Sequence, residues 1–205
     1  MKGSLIIISS PSGGGKGTLI RRLREDFEGL SYSVSHTTRE IRKGEEDGVH
    51  YNFVSTERFE ELIEAGEFLE YAEVHGNYYG TSKAFINKEL EKGFDVLLEI
   101  DVQGAEWVRK RAPEAVGIFI LPPSYAVLKE RLSNRNTESE TDLAVRLRNA
   151  ADEVNQYKHF DFVIINDDLE KAVEDLKSVV RSGRLLRDRQ TKAVRDILVS
   201  FDNAE

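Results

Sequence analysis

Residues 4 to 18 read S-L-I-I-I-S-S-P-S-G-G-G-K-G-T, and this stretch limits the possible folds more than any other. The aliphatic run Leu5 to Ile8 has the character of a buried strand, and Leu19, Ile20 and Leu23 beyond the loop give one face of a helix. Between them lie three successive glycines, which allow backbone N–H groups to turn inward as an anion nest without Cβ clashes. The helix that follows directs its positive end at the same point, and Lys16 adds a mobile charge. Strand, glycine loop, lysine and helix in that order predict a nucleotide phosphate site built from Ser10, Pro11, Ser12, Gly13, Gly14, Gly15, Lys16, Gly17 and Thr18. The match to GxxxxGK(S/T) departs in two places. Ser10 stands at the first glycine, and Gly17 stands where a magnesium-binding hydroxyl is usual, so that Thr18 arrives one residue late.

The remaining composition narrows the class. At 205 residues and 40% hydrophobic content the chain can bury one sizeable core, with room for a small inserted lobe. It has no cysteine, which removes disulfides, thiolate nucleophiles and cysteine-held metals and agrees with a reducing, cytoplasmic setting. No apolar run reaches the ~20 residues that span a bilayer, and Lys2 leads into the phosphate loop rather than a signal-peptide cleavage site. A net charge of −8 argues against general nucleic-acid affinity, so clustered cations are expected to serve small anions.

Along the chain, a first helix (16–27) leads to a strand, Leu30 to Ser35. Residues 35–82 then change texture, with short strands at Tyr51 to Val54, Phe68 to Val74 and Tyr78 to Gly80 around one helix that begins at Thr56 and stops at Gly66. From 83 onward helices and strands alternate: helix 83–91, strand 94–100, helix 103–111, strand 116–121, helix 124–133, a polar stretch, a long helix to about Tyr157, strand 162–165 and a closing helix from Asp168. Such alternation predicts a parallel sheet covered on both faces, with its loops gathered at the C-terminal edge of the strands.

The arginines bear on what happens there. Transfer of a phosphoryl group to an acceptor that is itself a phosphate needs no general base; it needs cations that offset repulsion between two polyanions. Arg39 and Arg42 lie in the 35–82 segment, and Arg131, Arg135, Arg146 and Arg148 surround the polar stretch 134–142, which has the composition of a lid.

At this point the phosphate loop, S-V-S-H-T-T-R-E-I-R-K-G-E (33–45), Y-N-F-V (51–54), G-E-F-L-E-Y-A-E-V-H-G-N-Y-Y-G-T (66–81), L-E-I-D-V-Q-G (98–104), I-F-I-L-P-P-S (118–124) and I-I-N-D-D (164–168) together resemble guanylate kinases, from about residue 4 to about 190. The resemblance implies the P-loop nucleoside monophosphate kinase fold, an α/β architecture with a parallel five-stranded sheet flanked by helices. It implies one domain over 1–205: a core of 1–34, 83–133 and 150–205, a small mixed GMP-binding lobe at 35–82 and a helical lid at 134–149. It implies ATP-dependent phosphorylation of GMP, and of dGMP, with Mg2+ in purine nucleotide metabolism, with no nucleic-acid or membrane partner and with self-association left open. Position by position, Ser35, Glu70, Thr81 and Asp101 would read guanine; a carboxylate at Glu70 accepts both N1–H and the 2-amino group, a donor pair that adenine lacks. Arg39, Arg42, Tyr51 and Tyr79 would hold the GMP phosphate, with Glu45 bracing their loop. Lys16, Arg131, Arg135 and Arg146 would neutralise the transferring group, Asn166 would lie near adenine, and Thr18 and Glu99 would meet magnesium directly or through water.

Departures from the family pattern are few. Lys-Gly-Thr at 16–18 is the order of adenylate kinases, Ile41 replaces a common proline, and Asn134 and Asn136 flank Arg135 where glycines are frequent. Two alternatives accompany this reading: another nucleoside monophosphate kinase of the AMP type, and a non-catalytic guanylate-kinase-like interaction module. Such modules lose the phosphate loop, whereas Gly13 to Lys16, Arg39 and Arg42 are all here. His36, His50, His75 and His159 show no ligand spacing, Trp107 reads as packing, and the basic run Arg181 to Arg195 reads as a solvated helix.

Overall fold

The computed structural model describes residues 2–74, 76–133 and 140–202, with backbone alone at 140–144. Five parallel strands form the central sheet: β1 (Leu5–Ser9), β2 (Leu30–Tyr32), β7 (Asp95–Glu99), β8 (Val116–Leu121) and β9 (Phe162–Ile165), in the order β2-β7-β1-β8-β9. All five residues of β1 are buried, because both neighbours pair with it: Ile7 sits beside Leu98 on one side and Gly117 on the other. Alternation along the strand then divides the core. Ile6 and Ile8 join Leu19, Ile20 and Leu23 of α1 (Lys16–Asp26) and Leu176 and Val180 of α7 (Leu169–Arg184). Leu5 and Ile7 join Ile86 and Leu90 of α3 (Lys83–Glu91) and Ala105 and Val108 of α4 (Val102–Arg111). After β1 the chain runs outward to β2 and β7 and later returns to the other side of β1 as β8 and β9. The loop following β1 therefore opens at the switch point of the sheet, where the crevice of such folds lies.

A second sheet of four strands has the order β4-β3-β6-β5, from β3 (His36–Thr37), β4 (Asn52–Phe53), β5 (Phe68–Val74) and β6 (Asn77–Ser82). Strands β3 and β4 run parallel; the other pairings are antiparallel. The helix α2 (Thr56–Glu64) covers it, burying Phe59 against Phe68 and Tyr78. Its cap is Ser55, whose Oγ accepts from the Arg58 amide, one residue before the expected start at Thr56. The α/β fold class expected from sequence, a parallel five-stranded core with an inserted mixed lobe, is what the chain adopts.

Three elements differ from expectation. The strand expected over 30–35 stops at Tyr32, and β3 begins only at His36: Ser33 N still donates to Leu97 O, but by Ser35 the backbone has passed to the second sheet, where its carbonyl accepts from Asn52 N. The long helix ends earlier than Tyr157, as α5 (Tyr125–Ser133) is followed by α6 (Glu140–Val154) and a 3-10 turn over 155–159. The basic run 181–195 is not one solvated helix. It comprises the end of α7, a 3-10 turn over 187–189 and the start of α8 (Thr191–Asp202). Two of its arginines converge on Asp95, which is 1% exposed: Arg184 Nε donates to Oδ2 (2.7 Å) and Arg189 Nη1 to Oδ1 (2.6 Å). Trp107 is half exposed, with Lys110 and Arg111 over its ring. Among the described residues no helix is long and apolar enough to cross a membrane.

Candidate functional site

The glycine loop takes its shape from two left-handed residues, Gly13 (φ 84°) and Gly15 (φ 90°), a backbone region that a side chain disfavours. Space forbids one as well: a Cβ on Gly13 would lie 2.9 Å from Leu128 of α5, and one on Gly15 would lie 2.2 Å from Asn166 Nδ2. Asn166, at the end of β9 and 5% exposed, donates from Nδ2 to Gly14 O (2.9 Å). Arg131 donates from Nη2 to Asn166 O (2.9 Å), while its buried Nη1 has no hydrogen-bond partner among the described residues and lies beside Gly15. An unsatisfied guanidinium N–H against a ring of loop amides calls for an acceptor, and an anion supplies one. The loop borders a cavity of about 580 Å³ whose lining includes Ser10 through Thr18, Glu99, Asp101 and Glu153.

Lys16, at the start of α1, donates from Nζ to Ile100 O (2.9 Å). Burial lowers its pKa from the ordinary lysine value, and the carboxylates of Glu99, Asp101 and Glu153 oppose that shift. Lys16, Glu99 and Asp101 also line a second cavity, of about 240 Å³, together with Ser35, Tyr51, Glu70 and Tyr79. The loop and the second sheet thus share a wall, and Lys16 stands in it.

Glu70 dominates the second cavity. A register shift between Phe68 and Glu70 sets Glu70 directly opposite Thr81, whose Oγ1 donates to Glu70 Oε1 (2.5 Å). Thr81 is fully buried behind it. Glu70 is 4% exposed, and burial pushes its carboxyl up to about 7; the Thr81 hydroxyl pulls it down and Asp101 adds to the rise. Asp101 is the N-cap of α4, its Oδ1 accepting from Gly104 N (2.8 Å). Gly104 has no side chain to spare, since a Cβ there would approach Glu70 Oε2 to 3.1 Å.

Arg39 lies under the Tyr51 and Phe53 rings and is held by Glu45, its Nη2 reaching both carboxylate oxygens at 2.7 and 3.0 Å. The Glu45 bond raises the Arg39 pKa and lowers that of Glu45. The rings of Tyr51 and Tyr79 meet edge to face at 5.9 Å. Arg42 is exposed and does not line either cavity, though its amide donates to Glu45 Oε2 (2.8 Å). Arg146 of α6 donates from Nη2 to Ser12 Oγ (2.8 Å). Arg135 and residues 134–139 of the expected lid lie outside the described residues.

Sequence reasoning missed two residues at this edge. Tyr32 donates to Glu99 Oε2 (3.0 Å), and burial drives its hydroxyl pKa far above the ordinary value. Glu153 accepts from the Ser12 amide through Oε2 (2.9 Å). A signal for Glu153 existed: it follows Arg146 by two helical turns and so shares its face. Glu99 Oε1 faces Gly17, 3.8 Å from where a Cβ would stand. Among the described residues no three His, Cys, Asp or Glu side chains gather as a metal cage.

Comparison with known proteins agrees with this geometry. The family model described as guanylate kinase matches residues 2–183. A protein named guanylate kinase from Neisseria meningitidis serogroup A is 55% identical over 197 residues, covering 96% of each chain. One of the same name from Aliivibrio fischeri is 50% identical over 199 residues, again covering 96% of each. The crystal structure of guanylate kinase from Anaplasma phagocytophilum superposes with a TM-score of 0.78 at 35% identity, covering 97% of this chain and 95% of that one. With a glycine loop facing a carboxylate-floored cavity and relatives matched along nearly their whole length, this chain belongs to the guanylate kinase family.

Proposed function

We propose that this protein transfers the γ-phosphoryl group of ATP to GMP, giving ADP and GDP. The observation that carries the reading is the common wall of the two cavities: a triphosphate on the glycine loop and a monophosphate in the lobe would meet at Lys16. The GMP phosphate oxygen is already an anion, so it attacks phosphorus in line without a base, and the P–O bond to ADP breaks as the new one forms. Lys16, Arg131 and Arg146 offset the charge on the donor side, with Arg135 assigned to the same task from sequence alone. Arg39, Tyr51 and Tyr79 receive the acceptor phosphate, Glu45 fixes Arg39, and Arg42 joins them by turning inward from its exposed position. Glu70 accepts from guanine N1–H and its 2-amino group, while Ser35, Thr81 and Asp101 complete the base site.

Ser10 to Thr18 cradle the ATP phosphates and Asn166 lies towards adenine. Magnesium, when bound, would supply further charge neutralisation to the transferring phosphates. Thr18 and Glu99 are the residues proposed to hold it, through water where Gly17 supplies no hydroxyl. Residues 35–82 act as the GMP lobe and 134–149 as the lid of one domain, working in the cytoplasm on small molecules. An ADP-coupled assay with AMP, GMP, CMP and UMP tests the reading. Turnover greatest with GMP is expected; turnover greatest with AMP would overturn the assignment of Glu70.

A further inference from the structure

The rim of the phosphate loop carries a carboxylate, which is the wrong sign for a site that must attract a polyanion. Glu153 lines the loop cavity, and its Oε2 accepts the Ser12 N–H at 2.9 Å across 141 residues of sequence. Seven residues earlier on the same helix, Arg146 donates to Ser12 Oγ at 2.8 Å. One helix face thus grips both the amide and the hydroxyl of the residue that precedes the glycine triplet. On the other flank Asn166 holds Gly14 O, and inside the loop Gly14 N donates to Pro11 O. The Ser12 N–H therefore points towards α6, and Glu153 is what holds it there. Burial raises the Glu153 carboxyl above its ordinary pKa, Asp101 adds to this, and the Ser12 amide, Lys16 and Arg146 oppose it.

We infer that Glu153 is a positioning residue of the phosphate loop: by fixing the Ser12 amide it sets the loop in its ATP-binding shape and registers the Arg146-bearing helix on it. The inference rests on the proposed kinase reading and deepens it on the donor side. A carboxylate in this place weakens simple Coulomb attraction for ATP, so removing it should strengthen binding if the charge alone matters. If the hydrogen bond to Ser12 matters, removing it should weaken binding. The two accounts predict opposite signs.

The test compares Glu153→Ala, Glu153→Gln and the unaltered chain. Affinity for a fluorescent ADP analogue is measured directly, KM for ATP and for GMP by the coupled assay, and folding by thermal unfolding. A hydrogen bond to a charged acceptor is worth roughly tenfold or more in an equilibrium. Glu153→Ala is expected to weaken the ADP analogue and raise the ATP KM about tenfold, leaving the GMP KM within about twofold. Glu153→Gln keeps an oxygen acceptor for the Ser12 amide and is expected to restore most of the loss in folded protein. Unchanged or tighter nucleotide binding in Glu153→Ala overturns the inference. So does equal weakening for ATP and GMP, or a Glu153→Gln variant as impaired as the alanine. The ADP-analogue titration needs no turnover, so an unaltered chain that bound the analogue but failed to phosphorylate GMP would defeat the kinase reading and leave this inference standing.

Discussion

Replacing Glu70 by glutamine should make the free protein more stable and a worse enzyme, and pH should govern how much more stable. A carboxyl moved from the ordinary 4.5 to about 7 by burial disfavours its charged form by roughly 3 kcal/mol, at about 1.4 kcal/mol for each pH unit. The sign follows from linkage. The folded pKa is raised, so the contribution of Glu70 to stability is fully present below about pH 4.5. It is lost as pH rises through about 7. Glutamine has the same shape, can accept from Thr81 Oγ1 and carries no titrating proton. The gap in unfolding free energy between Glu70→Gln and the parent should therefore widen from near zero at about pH 4 to between about 1 and 3 kcal/mol at pH 8. In a chain of this size that is about 3–10 °C in Tm. Thermal melts of both proteins across this range provide the assay. A gap that stays constant with pH, or that favours the parent at pH 8, would refute the reasoning. Function should move the other way, because the amide offers guanine one acceptor and one unwanted donor. KM for GMP should rise about a hundredfold with KM for ATP little changed. In the parent, GMP affinity should fall about tenfold per unit below pH 7 as binding expels the Glu70 proton, which calorimetry in two buffers of different ionisation enthalpy would detect.

Three further perturbations follow from the geometry. Lys16→Met should lower kcat by about 10³ or more with GMP affinity retained; unchanged turnover would remove Lys16 from the transfer. Gly17→Ser should fold normally, since among the described residues a Cβ there meets only Glu99 Oε1, at 3.8 Å, and its hydroxyl should lower the magnesium concentration for half-maximal rate; an unaltered magnesium dependence would place the ion elsewhere. Asp95→Ala leaves Arg184 and Arg189 without their buried partner and should cost about 3 kcal/mol, with kcat unchanged because Asp95 begins β7 at the end opposite Glu99; chemical denaturation and the coupled assay read these separately.

Most of the core was legible because its signals are local. Leu5 to Ile8 could be only a buried strand, and three glycines with a lysine leave few conformations besides a phosphate loop. Glu70, Tyr51 and Tyr79 came from the family resemblance, and the structure gathers them around one cavity. What stayed hidden depends on distant partners. Nothing near Tyr32 announces that the chain will leave one sheet for another by Ser35, because the carbonyl of Ser35 is claimed by Asn52. The bulge that brings Glu70 opposite Thr81 is a property of two strands together. Asp95 resembled any strand residue until Arg184 and Arg189 arrived from 89 and 94 positions away. Glu153 drew no notice in the sequence for a similar reason: its helical spacing from Arg146 was readable, but its partner lies at residue 12.

The 2.2 Å between Asn166 Nδ2 and the missing Cβ of Gly15 has an evolutionary corollary. A methyl group at 15 collides with the very atom that steadies Gly14, and the φ of 90° would strain it besides, so Gly15 cannot drift while Asn166 stands. A shorter residue at 166 would relieve that collision but not the backbone strain, and it would forfeit the tie to the loop. The constraint is one-sided in mutational space: the end of the last strand bars change in the first turn of the chain, and relaxing the strand alone does not free the turn.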